Sequence, residues 1–150
     1  MRSVFALVCH SLMVVSYWMP GSPQIQAAFA RAAGQDMSYE RLLAPLGDFD
    51  ATVEAFAREG GRGLNVTVPF KIDAAKLADD LLPRARLAGA VNTLVFDGDT
   101  IVGDNTDGIG FVRDVHERLK FDFGECSVLV VGAGGAVRGV IGALLDASPR

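Results

Sequence analysis

The sequence is short of the features that mark a small cross-linked or metal-bound domain. It has only two cysteines in 150 residues, Cys9 and Cys126, far apart and with no CxxC pair. That excludes a disulfide framework and argues against a zinc or other metal centre. Both thiols are expected to be free and at least half-buried, in a reducing compartment. Positive charge is not in excess either. Fourteen Lys and Arg stand against 18 Asp and Glu, for a net charge of -4, and no block of like charge stands out. A nucleic-acid partner, which needs a basic patch, is therefore not expected. Long apolar runs are scarce. Met1 to Pro20 is mostly apolar with Arg2 near its start, but His10 and Ser11 interrupt it. With small residues at Ala27 and Ala28 it partly matches a signal peptide, yet it is too short and too broken to read as a membrane span. The expectation is a cytoplasmic protein with no membrane partner.

What is present is an ordinary globular chain. It is 50% hydrophobic and 21% charged, which on length alone allows about one domain with its own core. Val4 to Cys9 suits a buried strand. Gln24 to Ala33 reads as a helix with Ile25, Ala28 and Phe29 on one face, stopped by Gly34. Ser38 to Ala44 is a strand candidate. Asp48 to Glu59 is a helix with Phe49, Val53 and Phe56 at helical spacing, ended by Gly60 and Gly61. Leu64 to Val68 is a further strand, closed by Pro69, and a helical stretch runs from Lys71 to about Leu82. Strands alternating with helices favour a parallel sheet covered on both faces. Val91 to Phe96 and Thr100 to Val102 flank the turn Asp97-Gly98-Asp99, a hairpin signal. Gly108 to Leu119 reads as a long helix, Ser127 to Val131 as an apolar strand and Ala136 to Leu145 as a helix. The class is α/β, in two parts: an α/β unit, then the first strand–helix unit of a Rossmann-like dinucleotide-binding domain.

The second unit turns on Gly132-Ala133-Gly134-Gly135-Ala136. A strand running into such a loop and then a helix is the arrangement that binds a pyrophosphate. The first glycine makes the tight turn, the second lets the backbone approach the phosphates, and the helix N-terminus offers N–H groups and partial positive charge. Val137 stands where the common pattern has Gly or Ala, so the match is incomplete.

Three polar groups end apolar runs: Asn65 to Lys71, Gly89 to Thr93, and Gly103 to Gly108. In α/β folds, ligands bind outside the carboxyl ends of strands. A lysine beside a carboxylate suits alcohol oxidation, where the hydroxyl proton must leave along with the hydride. Lys71 can take that proton and return it. Asp107 can hold the lysine or bind the hydroxyl, and Thr67 and Asn92 can orient other hydroxyls. Each residue also has a structural alternative. Lys71 suits a solvated helix start, Asp107 a helix N-cap, and Asn92 a turn.

These motifs together resemble the shikimate dehydrogenase family, over about residues 22 to 148. Asn65-Val66-Thr67-Val68-Pro69-Phe70-Lys71 is similar to the family's segment around its catalytic lysine. Leu87-Ala88-Gly89-Ala90-Val91-Asn92-Thr93 resembles its second signature. Gly103-Asp104-Asn105-Thr106-Asp107-Gly108 resembles its third, and Gly132 to Gly139 its nucleotide loop. The resemblance implies an NADP-dependent oxidoreductase (NADPH as reductant) that interconverts 3-dehydroshikimate and shikimate in aromatic amino acid and chorismate biosynthesis. It implies Lys71 as general acid/base, Asp107 as its partner and a substrate ligand, and Ser22, Thr67 and Asn92 as further substrate ligands. Gly132, Ala133, Gly134, Gly135 and Ala136 are implied to hold the cofactor pyrophosphate. The implied domains are a substrate-binding unit over 1–105, atypical in 1–21, and the start of an NADP-binding unit over 106–150. A small-molecule substrate is the expected partner, with room for a homodimer of the full-length protein.

Two departures qualify the match. The family's Ser-x-Ser-Pro element reads Met19-Pro20-Gly21-Ser22-Pro23 here, so Pro20 replaces the first serine and offers neither hydroxyl nor N–H. The nucleotide-binding unit also lacks its later strands and closing helices, which implies a truncated member and leaves the activity of this chain open. A quinate/shikimate dehydrogenase using NAD and a non-catalytic shikimate-binding module are the alternatives.

Overall fold

The computed structural model describes residues 12–15 and 22–147. Six strands form one mixed sheet, ordered β2-β1-β3-β5-β6-β4. The strands are β1 (Leu12–Val15), β2 (Tyr39–Leu42), β3 (Gly63–Val66), β4 (Asp80–Leu81), β5 (Thr93–Asp97) and β6 (Thr100–Asp104). The helices are α1 (Ser22–Ala32), α2 (Phe49–Arg58), α3 (Lys71–Leu77), α4 (Pro83–Ala88), α5 (Asp107–Leu119) and α6 (Gly135–Asp146).

The apolar spacing of α2 does what its pattern requires. Phe49, Val53 and Phe56 are all buried and meet Leu64 and Val66 of β3, Leu94 of β5, and Phe70, Ala74, Ala85 and Val91 in one core. Phe49 stacks on Phe70 with ring centroids 5.1 Å apart. Each fully buried Leu or Val in such a core contributes about 1.5–3 kcal/mol of transfer free energy. The core therefore fixes the two loops that leave it, Thr67 to Phe70 after β3 and Gly89 to Asn92 before β5. The expected face of α1 is less committed: Ile25 and Phe29 are exposed and Ala30 is its buried residue.

The sheet is not the parallel one that strand–helix alternation suggested. β1 runs parallel to both β2 and β3, but β5 is antiparallel to β3 and to β6, and β4 is parallel to β6. The reversal has a local cause. The helix that begins at Lys71 ends at Leu77, the chain adds the two-residue β4, and α4 then starts with Pro83 at its first position, where a missing N–H costs nothing. Gly89 caps α4 in the left-handed region at φ +57°, where L side chains are strained. The chain therefore enters β5 heading back along β3, and the expected hairpin then forms with β6, Asp97 opposite Thr100.

Two other expectations meet the structure differently. The strand expected at Val4 to Cys9 lies outside the described residues. Ser127 to Val131, expected as a strand, pairs with no strand among the described residues. An apolar run becomes a strand only where a neighbour takes up its N–H and C=O groups, and Leu129 and Val131 are instead 88% and 86% exposed. No helix among the described residues is long and apolar enough to cross a membrane.

Candidate functional site

Lys71 opens α3 and is buried, at 8% exposure. A buried ammonium needs a partner, and the sheet supplies one. Lys71 Nζ donates to Asp107 Oδ2 at 2.5 Å. Asp107 is the first residue of α5. Its carboxylate does not cap that helix. The second oxygen, Oδ1, accepts from Asn92 Nδ2 at 2.8 Å. The local backbone work falls to Asn105, whose Oδ1 accepts from the Asp107 N–H at 3.1 Å while its Nδ2 donates to the Ala90 carbonyl at 2.9 Å. With that residue turning the chain, the Asp107 side chain is left for the lysine. The structural alternatives for Lys71, as a solvated helix start, and for Asp107, as an N-cap, thus do not hold in this fold.

Asn92 sits where β5 begins, with its main chain shared between two strands: its carbonyl accepts from the Val66 N–H at 2.7 Å and its N–H donates to the Asp104 carbonyl at 2.9 Å. Its side chain is oriented without ambiguity. The Thr106 N–H donates to Asn92 Oδ1 at 3.0 Å. That sets the amide so that Nδ2 faces the Asp107 carboxylate and the Thr106 hydroxyl, at 2.8 and 2.9 Å.

A second group lies beside this one. Asn65 of β3 accepts at Oδ1 from the Tyr39 hydroxyl, 3.0 Å, and from Gln26 Nε2, 3.3 Å. The Tyr39 phenol is pushed up to about 12 because its surroundings desolvate the anion. Asn65 and Thr93 lie inside the signature segments with no role of their own marked on them, and Tyr39 and Gln26 carry no signal in the sequence. Cross-strand register brings them together, and register is not written in any one segment. Thr67, half-buried just after β3, has no side-chain hydrogen bond among the described residues. Ser22 is half-buried at the start of α1. Pro20 lies outside the described residues.

The glycine loop meets the lysine directly. A Cβ at Gly135 would come within 3.1 Å of Lys71 Cβ, and one at Gly139 would fall 2.7 Å from Asn105 Oδ1 and 3.0 Å from Asp107 Oδ2. Helix α6 therefore packs its glycines onto the residues that hold the Lys71–Asp107 pair. Gly132 has φ +123° and makes the tight turn. Gly134 is the N-cap of α6 with no side-chain cap bond, and a Cβ there would meet nothing within 4 Å. The start of this twelve-residue helix is exposed at Ala133, Gly134 and Ala136 and has no side-chain cap, and an uncapped helix N-terminus suits an anionic phosphate. Arg138 Nε donates back to the Ala133 carbonyl at 3.3 Å and braces the loop. The described residues hold no cluster of His, Cys, Asp and Glu able to bind a metal ion.

Residues 19–94 match the family model described as the shikimate dehydrogenase substrate binding domain. A shikimate dehydrogenase (NADP(+)) of Nitrosospira multiformis is 57% identical over 128 residues, 85% of this chain and 46% of the relative. Among solved structures, an Ael1 enzyme from Pseudomonas putida superposes with a TM-score of 0.82 at 42% identity, covering 94% of this chain and 52% of that one. The shikimate dehydrogenase of Aquifex aeolicus gives 0.83 at 34% identity, covering 95% and 53%. The chain spans about half the length of the curated relatives it matches. With its signature residues gathered around one lysine–aspartate pair, the chain belongs to the shikimate dehydrogenase substrate-binding domain family.

Proposed function

We propose that this chain carries the substrate half of an NADP-dependent shikimate dehydrogenase, with residues 1–105 as the substrate unit and 106–150 opening the dinucleotide unit. The observation that carries the reading is the buried Lys71–Asp107 pair at 2.5 Å, with Asn92 on the other carboxylate oxygen and the glycine loop against the lysine. The relatives that share these segments are named for shikimate and NADP(+).

In this reading the ring of 3-dehydroshikimate lies over Lys71, with its carbonyl oxygen at Nζ. As that carbonyl is reduced, Lys71 Nζ gives it a proton, and in the reverse direction Nζ takes the proton from the hydroxyl. Asp107 keeps the amine oriented and accepts from a neighbouring ring hydroxyl. Thr67 and Asn65 supply hydrogen bonds to the ring hydroxyls. Asn92, whose amide protons go to Asp107 and Thr106, sets the Asp107 carboxylate against the ring, and Ser22 meets the substrate carboxylate. Gly132 to Ala136, at the start of α6, would hold the pyrophosphate of a dinucleotide, and that dinucleotide would supply the hydride when bound. The proposed setting is the cytoplasm, where a free thiol such as Cys126 stays reduced.

The experiment is a shikimate titration of the 150-residue chain, followed by NMR, beside Lys71→Ala and Asp107→Ala. Saturable binding that both substitutions abolish supports the reading. Absence of binding by a cooperatively folded parent chain overturns it.

A further inference from the structure

Thr93 has no part in the proton transfer, yet the sheet puts its hydroxyl between the two amides that frame the site. Asn65 and Thr93 are direct partners across the antiparallel β3–β5 pair. Asn65 Nδ2 donates to Thr93 Oγ1 at 3.4 Å, and Thr93 Oγ1 donates to Asn92 Oδ1 at 2.9 Å. The chain of bonds continues both ways. On one side Asn65 Oδ1 accepts from Tyr39 and Gln26. On the other, Asn92 Nδ2 donates to Asp107, which holds Lys71. Among the described residues, Thr93 is the only side chain that joins these two arms.

A hydroxyl is the group this place requires. Both Asn92 Nδ2 protons are committed, to Asp107 and to Thr106. Its oxygen must therefore be met by donors: the Thr93 hydroxyl at 2.9 Å, the Thr106 N–H at 3.0 Å and, at the longer 3.3 Å, the Thr106 hydroxyl, which already accepts from Asn92 Nδ2. Asn65 Oδ1 already has two donors, so its amide nitrogen needs an acceptor, which the same hydroxyl supplies. Valine has the shape of threonine and neither capacity.

We propose that Thr93 is a positioning residue for the reaction, coupling Asn65 to Asn92 and so holding the Asp107–Lys71 pair in register with the Tyr39–Asn65 arm. The proposal rests on reading this site as the dehydrogenase site, and its test separates the two. The 150-residue chain and its Thr93→Val and Thr93→Ser variants are compared by NMR for hydrogen exchange of the Asn92 side-chain amide, without ligand, and then titrated with shikimate. Thr93→Val is expected to speed Asn92 amide exchange and weaken shikimate binding by about 3–10-fold, the effect of losing one hydrogen bond. Thr93→Ser is expected to stay within about twofold of the parent in both. Thr93→Ala, which cannot crowd the sheet, should repeat the valine result should valine fail to fold. Equal effects of valine and serine, or an Asn92 amide unmoved by valine, overturn the proposal. If exchange responds as expected but the parent does not bind shikimate, the coupling stands and the assigned function falls. If the parent binds and Thr93→Val binds as tightly, the function stands and the coupling falls.

Discussion

Lys71 keeps an ammonium at 8% exposure, so its stability depends on a single carboxylate. The two partners are not equally dependent. The Lys71 side chain is 11% exposed and that of Asp107 is 23%, and Asp107 also accepts from Asn92. Asp107→Asn leaves the more buried charge without its counter-ion, whereas Lys71→Met leaves a carboxylate that is wetter and still hydrogen-bonded. Asp107→Asn is therefore expected to cost about 2–4 kcal/mol and Lys71→Met about 1 kcal/mol or less. Urea denaturation of both variants checks the order; equal large costs would show that the two charges depend on each other alike, and equal small ones that the pair is no tighter than a surface contact. Tyr39 makes a separate prediction. Its phenol is raised to about 12 in the folded chain by desolvation, against 10.0 for the free group. The folded state thus holds this proton to higher pH than the unfolded state does. The stabilising contribution is complete below pH 10 and is lost as pH rises from 10 towards 12. Subtracting the alkaline ultraviolet titration of Tyr39→Phe from that of the parent should isolate one phenol ionising late; an ordinary midpoint would show that Tyr39 is open to water.

At the scale of elements, the two glycines near the start of α5 have opposite duties. A Cβ at Gly108 would lie 2.5 Å from the Gly139 carbonyl and 2.9 Å from Ala143 Cβ, while a Cβ at Gly110 would meet nothing within 4 Å. Alanine at Gly110 is expected to stabilise the chain by about 0.5–1 kcal/mol through helix propensity alone. Alanine at Gly108 gains the same propensity but must push α5 off α6, for a net loss of about 1–2 kcal/mol. Opposite shifts of the urea midpoint verify this close packing; shifts of the same sign would mean that α6 does not rest on Gly108. Much of the element order was readable in advance: the Phe49, Val53 and Phe56 spacing, the hairpin at Gly98, and the strand-end position of Lys71 and Asp107. What was not readable has physical causes. Helix α4 has six residues, too few to show a period, so the turn that reverses β5 was invisible. The Tyr39–Asn65–Thr93 arm exists only through the strand order β2-β1-β3-β5, which a sequence read segment by segment does not contain.

The whole molecule divides its apolar surface unevenly. The sheet unit buries its hydrophobic residues around Leu64 and Leu94, but Val128 to Val131 runs along the outside in no helix or strand. Val128 and Val130 are 37% and 38% exposed, Leu129 and Val131 more than twice that. An apolar segment with unpaired backbone groups is a template for pairing with another chain. Its alternation also shows which side is free: the two most exposed side chains, Leu129 and Val131, are two residues apart, the spacing of one face of an extended segment. The 150-residue chain is therefore expected to self-associate with rising concentration. Leu129→Lys with Val131→Lys should suppress that by placing two charges on the open face, while leaving the Lys71–Asp107 pair and the core around β3 in place. Sedimentation at a series of concentrations measures the association, and the urea midpoint reports the core. Association that persists in the double variant would locate the sticky surface elsewhere, with exposed Leu43, Leu46 and Leu87 the next places to look.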